Sequence, residues 1–144
     1  MTGPAGGRPL PLLVVVDGAN VVGSVPDGWW RDRRGAAERL RDALVPVAAA
    51  GLPPREGVPD WAVGGPVEVV LVVEGAARGV PSVPGVAVES APGSGDDLVA
   101  ELAARVAASA PGRRCLVVTA DRGLRARVEG QGAAVTGPRS VRRT

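Results

Sequence analysis

Three times along this chain an unbroken apolar run stops at an acidic residue. Leu12-Leu13-Val14-Val15-Val16 ends at Asp17-Gly18, the run from Val67 to Val73 ends at Glu74-Gly75, and Cys115-Leu116-Val117-Val118-Thr119-Ala120 ends at Asp121. A strand that is apolar at nearly every position is buried on both faces, which is the pattern of a parallel sheet covered by helices. Residues 85–89 and 133–136 are weaker candidate strands. Between them, residues 33–45 place Ala36, Ala37, Leu40 and Leu44 on one helical stripe, with Pro46 expected to end or kink the helix. Residues 96–109 align Leu98, Val99, Leu102, Ala103 and Val106 and stop at Pro111-Gly112. A short helix over 122–129 follows the third strong strand. The resulting order of strand, helix, strand, strand, helix, strand, helix, strand predicts an α/β three-layer sandwich on a mainly parallel sheet. Residues 51–66, with four prolines and four glycines, are expected as a long loop, either a functional flap or a disordered insertion.

What the chain lacks narrows its chemistry. There is no histidine, which excludes a Ser-His-Asp triad, a Cys-His pair and any zinc site that uses histidine. All 17 basic residues are arginine, so a P-loop lysine and Schiff-base chemistry are excluded too. The arginine, glycine and proline bias points to a high-GC, bacterial genome. If the chain is an enzyme, carboxylates or a metal must do the work. The single cysteine, Cys115, forms no internal disulfide and reads as core.

Length and charge set the organisation. The 144 residues fit one domain over 11–138, with residues 1–10 expected as a flexible leader and 139–144 as a basic tail. Residues 1–112 carry nine arginines against thirteen acids, whereas 113–144 carry eight against two. An acidic body with a basic last quarter is compatible with a polyanion met at one side. No signal-peptide pattern and no apolar run of membrane-spanning length is present, so a cytoplasmic protein with no membrane partner is expected.

In an open parallel sheet the working edge lies at the carboxyl ends of the strands. Asp17, Glu74 and Asp121 all fall there. Gly93-Ser94-Gly95-Asp96-Asp97 leads into a helix that starts at the same edge, so up to five carboxylates share a small volume. Singly, each has a structural explanation: Asp17 and Asp121 as turn or cap residues, Glu74 in a solvated turn, Ser94 with Asp97 at capping-box spacing. Together they raise one another's pKa unless a cation neutralises them. A hard ion held by oxygens, Mg2+ or Mn2+, answers that need, and phosphodiester hydrolysis is its natural reaction.

Val15-Val16-Asp17-Gly18-Ala19-Asn20-Val21-Val22-Gly23, then Gly95-Asp96-Asp97-Leu98-Val99, then Val117-Val118-Thr119-Ala120-Asp121-Arg122-Gly123-Leu124 resemble the ordered motifs of the NYN branch of PIN-like nucleases. The resemblance spans residues 11–138. It implies a five-stranded sheet of order 3-2-1-4-5 and metal-dependent cleavage of RNA by in-line attack of an activated water, leaving a 5′-phosphate. It also implies Asp17, Asp96 and Asp121 as metal ligands, with Asp97 supporting them. Asn20 would orient Asp17 or contact substrate. Many relatives carry Asp before Gly at the end of the second strand, where this chain has Glu74, whose longer side chain can still reach the metal.

Substrate contacts are expected from Asn20, Ser94, Thr119 and Arg122, and from Trp30 and Arg31 in the Trp29-Trp30-Arg31-Asp32-Arg33 segment, where aromatics and arginines alternate as they do in sites that stack bases and hold phosphates. Core packing of one or both tryptophans is the competing explanation. Arg125, Arg127, Arg139, Arg142 and Arg143 are further candidates for phosphate contacts. The expected partner is therefore RNA, single-stranded or structured, with a homodimer left open. One rival is an RNA-binding module on the same fold that has lost cleavage. A receiver domain needs paired acids after its first strand and a late lysine, and a dinucleotide-binding domain needs G-x-G-x-x-G there; the chain has neither.

Overall fold

The computed structural model of the protein describes residues 11–110 and 112–142. The expected leader, 1–10, and Arg143 lie outside them. Five strands, β1 (Leu13–Asp17), β2 (Glu68–Val73), β3 (Val86–Ser90), β4 (Cys115–Val118) and β5 (Ala134–Thr136), form one sheet in the order β3-β2-β1-β4-β5. All four neighbouring pairs are parallel. This is an all-parallel α/β arrangement with the 3-2-1-4-5 order that the resemblance to PIN-like nucleases implies.

Alternation along the central strands builds two cores. Val14, Val16, Val69, Leu71, Val73, Leu116 and Val118 face α1 (Gly18–Gly23) and α2 (Arg33–Ala50). Leu13, Val15, Val70, Val72, Cys115 and Val117 face α3 (Gly95–Ser109) and α4 (Arg122–Glu129). With no Phe, Tyr or Ile available, valine fills both layers, and its branched Cβ suits a pleated surface buried on each side.

Pro46 does not end α2 as expected. The helix runs on to Ala50 because Leu44 and Ala48 stay on the core face and the Val67 N–H donates to the Ala48 carbonyl. The proline-rich stretch 51–66 packs as a cover: Leu52 and Ala62 are buried, and Leu52 bridges to Val63. Beyond β5, Ser140 and Val141 are also buried, and Arg142 Nη1 donates to the Val21 carbonyl at 2.8 Å. The last described residues are therefore docked on the body.

Strand β1 is central, with β2 on one side and β4 on the other. The chain reverses its direction of growth between β1 and β4, so a crevice opens at their carboxyl ends, where ligands bind in open α/β sheets. Asp17 closes β1 at that point, and Thr119 follows β4.

Candidate active site

Asp17 is the most enclosed acid of this edge, with 3% of its surface exposed. Parallel pairing of Val16 with Val118 sets Thr119 beside it, and Thr119 Oγ1 donates to Asp17 Oδ2 at 2.9 Å. The same hydroxyl accepts from the Asp121 N–H at 3.1 Å, and Asn20 Oδ1 accepts from the Ala120 N–H at 2.9 Å. Asn20 thus ties the β1 turn to the β4 turn. Arg125 Nε donates to the Thr119 carbonyl at 2.8 Å and closes the frame from α4.

Burial pushes the Asp17 carboxyl up to about 6, and the charges of Asp96 and Glu74 add to the rise; the Thr119 hydroxyl and the Asn20 backbone pull it down. Asp96, in the first turn of α3, is also raised, by burial first and then by Asp121 and Glu74, with Arg127 opposing. The charges of Glu74, Asp96, Asp97 and Asp121 thus all bear on Asp17 or on one another around the crevice.

The other expected residues divide by what they touch. Glu74 Oε1 accepts from the Gly95 N–H at 3.0 Å, which fixes it to the start of α3. Glycine at 95 lets Glu74 come this close, since a Cβ would lie 2.5 Å from that oxygen and would make the side chain shift. Ser94 caps α3, its Oγ accepting from the Asp97 N–H at 3.3 Å. Asp97 is drawn outward into an ion pair with Arg127 at 2.9 Å. Asp121 is exposed and caps α4 through the Leu124 N–H at 2.8 Å. Arg122 is exposed beside it. Trp30 is 51% exposed, with the Arg31 guanidinium 5.9 Å from its ring, while Trp29 is partly buried against the core.

Some expectations need correction. Thr119 is fully buried and turned to Asp17, so it does not present its hydroxyl to a strand of substrate. Arg125, Arg127 and Arg142 each also bond within the protein, to the Thr119 carbonyl, the Asp97 carboxylate and the Val21 carbonyl. In the same Trp29–Arg33 segment, whose aromatics and arginines the sequence already singled out, Trp29 and Arg33 stack with 5.2 Å between guanidinium and ring centre beside Glu74, a placement that only the fold reveals.

The donor chemistry suits a hard divalent cation: every candidate ligand is a carboxylate oxygen, and no basic group figures among the influences on Asp17. Among the described residues, however, no three acids stand close enough to form a complete ligand set. Mg2+ is commonly bound through only one or two carboxylates and keeps several waters. A cavity of about 850 Å³ lies elsewhere, between α2 and the segments around Leu52, Arg55 and Val141, and none of the acidic-edge residues lines it. No helix among the described residues is long and apolar enough to cross a membrane.

No family model matches the chain, and no curated protein does. Solved structures do match. The crystal structure of Rae1 (YacP) from Bacillus subtilis superposes with a TM-score of 0.63 at 20% identity, covering 89% of this chain and 70% of that one. A mutant of the same protein gives 0.62 at 19% identity, over 90% and 71%. At these identities the likeness is one of fold.

Proposed function

We propose that the chain is a divalent-metal-dependent ribonuclease of the NYN branch of PIN-like nucleases. The observation that carries this reading is Asp17, a buried acid at the switch point of the sheet, held by Thr119 and crowded by Asp96 and Glu74. Burying like charges together is unfavourable unless a cation joins them. Asp17 and Asp96 would hold the ion, with Asp121 and Glu74 adding negative charge around it. Such an ion, once bound, neutralises the acids, polarises a phosphoryl oxygen and activates a water for attack.

The protein's own contribution is positional. Thr119 and the Asn20 backbone hold the Asp17 carboxylate in one orientation, so little reorganisation is left for the reaction. One of the carboxylates of this edge would take the proton released at the attacking oxygen. Trp30 and Arg31, exposed at the same edge, offer an aromatic face and a cation to a single strand.

The deciding experiment is cleavage of a labelled single-stranded RNA with Mn2+ by wild type and Asp17→Asn purified in parallel. Cleavage by wild type alone supports the reading. No cleavage of several RNAs, together with retained RNA binding, would favour an RNA-binding module.

A further inference from the structure

A second cleft, of about 110 Å³, opens beside the acidic edge on the side of the sheet that α1 and α2 cover. Val22, Trp29, Ala37 and Val73 give it apolar walls, and Arg33 and Glu74 are its charged groups. Gly18 also lines it, packed so closely on β2 that a Cβ would lie 2.4 Å from the Val72 carbonyl oxygen. At about 110 Å³ the cleft is smaller than the apolar cavity of about 150 Å³ that takes up benzene, so it admits part of a single six-membered ring through its open mouth and not a fused pair.

The polar groups narrow the ring further. Glu74 is held by one oxygen, Oε1, which accepts from Gly95. Its Oε2 makes no hydrogen bond among the described residues and is left to accept from a ligand. Arg33, stacked on Trp29 at 5.2 Å, brings a guanidinium suited to a phosphate oxygen. Apolar walls, one carboxylate acceptor and one nearby cation describe a site for a nucleotide whose ring edge donates a hydrogen bond.

We propose that the Trp29–Glu74 cleft receives one pyrimidine base of the RNA strand and that Glu74 selects cytosine over uracil. This inference rests on the ribonuclease reading of the neighbouring edge. Cytosine presents its exocyclic N4 amine, the group that Glu and Asp accept from when they read this base. Uracil presents the O4 carbonyl at the same place, which sets lone pair against carboxylate, so it pairs with the half-buried Glu74 only by turning its N3–H there instead. The cleft adjoins Glu74 and Gly18, so the selected base lies next to the phosphate held at Asp17.

The test compares the affinities of short oligocytidylate and oligouridylate by fluorescence anisotropy in EDTA, where no cleavage occurs. Wild type is expected to bind the cytosine strand roughly tenfold more tightly, the discrimination of one good base-edge contact. Glu74→Gln, whose amide still accepts from Gly95 but also offers a donor, is expected to bring the two affinities together. Equal affinities in wild type, or an unchanged ratio in Glu74→Gln, would overturn the inference and leave the ribonuclease reading standing. If wild type binds neither strand, the inference falls, and cleavage in Mn2+ still decides the ribonuclease reading. The wild-type ratio decides even if the variant folds poorly.

Discussion

Thr119 Oγ1 and Asp17 Oδ2 meet at 2.9 Å from neighbouring central strands, although 102 positions separate them in the chain. The hydroxyl stabilises the charged acid and so limits how far burial raises its pKa. Thr119→Val keeps the volume and deletes the bond. It is expected to lower stability by about 1–3 kcal/mol, since the Asp121 N–H also loses its acceptor. It should also move the acid limb of the cleavage profile to higher pH. Thermal melts and a pH–rate profile in Mn2+ check both; an unmoved limb would show that the bond does not tune Asp17.

The raised pKa of Asp17 makes a prediction about stability alone. Its ordinary value is 3.8 and its folded value about 6, so the metal-free folded state binds the extra proton between those limits. That contribution is full below about pH 4 and is lost as pH rises through 6. Asp17→Asn removes the titration. It is therefore expected to be more stable than wild type at pH 8, by on the order of 3 kcal/mol, and nearly equal at pH 4. Denaturant midpoints in EDTA at the two pH values measure it.

A cation should reverse that penalty. Mn2+ or Mg2+ is expected to raise the Tm of wild type at neutral pH, by an amount equivalent to about 2.7 kcal/mol at a hundredfold excess over Kd. Asp17→Asn should respond far less. A Tm that ignores both ions in wild type would remove the metal from the reading.

The two adjacent tryptophans should separate by readout. Trp30→Ala, at an exposed ring, is expected to leave the Tm nearly unchanged and to weaken RNA binding by roughly 1–3 kcal/mol. Trp29→Ala removes packing against the core and should lower the Tm. Parallel melts and anisotropy titrations distinguish them; a Trp30→Ala protein with wild-type affinity would exclude that ring from the substrate path.

The strands were legible because runs such as Val69 to Val73 are buried on both faces, and α4 was legible because its stripe stands between a cap and a turn. The clustering of acids at one edge followed from those strand ends. Helix α1 was not legible: Asp17-Gly18 reads as a turn, and the helix depends on Gly18 tucking under the Val72 carbonyl, a contact between distant segments. Pro46 misled because local propensity gave way to the Val67–Ala48 bond. Thr119 looked like an exposed contact at a strand end, but the ladder continues one residue further through the Thr119 N–H to the Thr136 carbonyl, which turns its side chain inward. The arginines of the basic last quarter showed charge without showing partners, so their internal bonds to Thr119, Asp97 and Val21 emerged only with the fold.

Placing the first strand at the middle of the sheet also sets when the protein can become competent during its synthesis. As the chain leaves the ribosome, β1 and β2 can pair early, but the other flank of β1 stays open until residues 115–118 arrive. Asp17, Glu74 and Asp96 are all made before the strand that brings Thr119 and Asp121 to them. A nascent chain halted ahead of β4 thus holds most of the acids and none of the crevice, which keeps the site unassembled while the protein is still being translated.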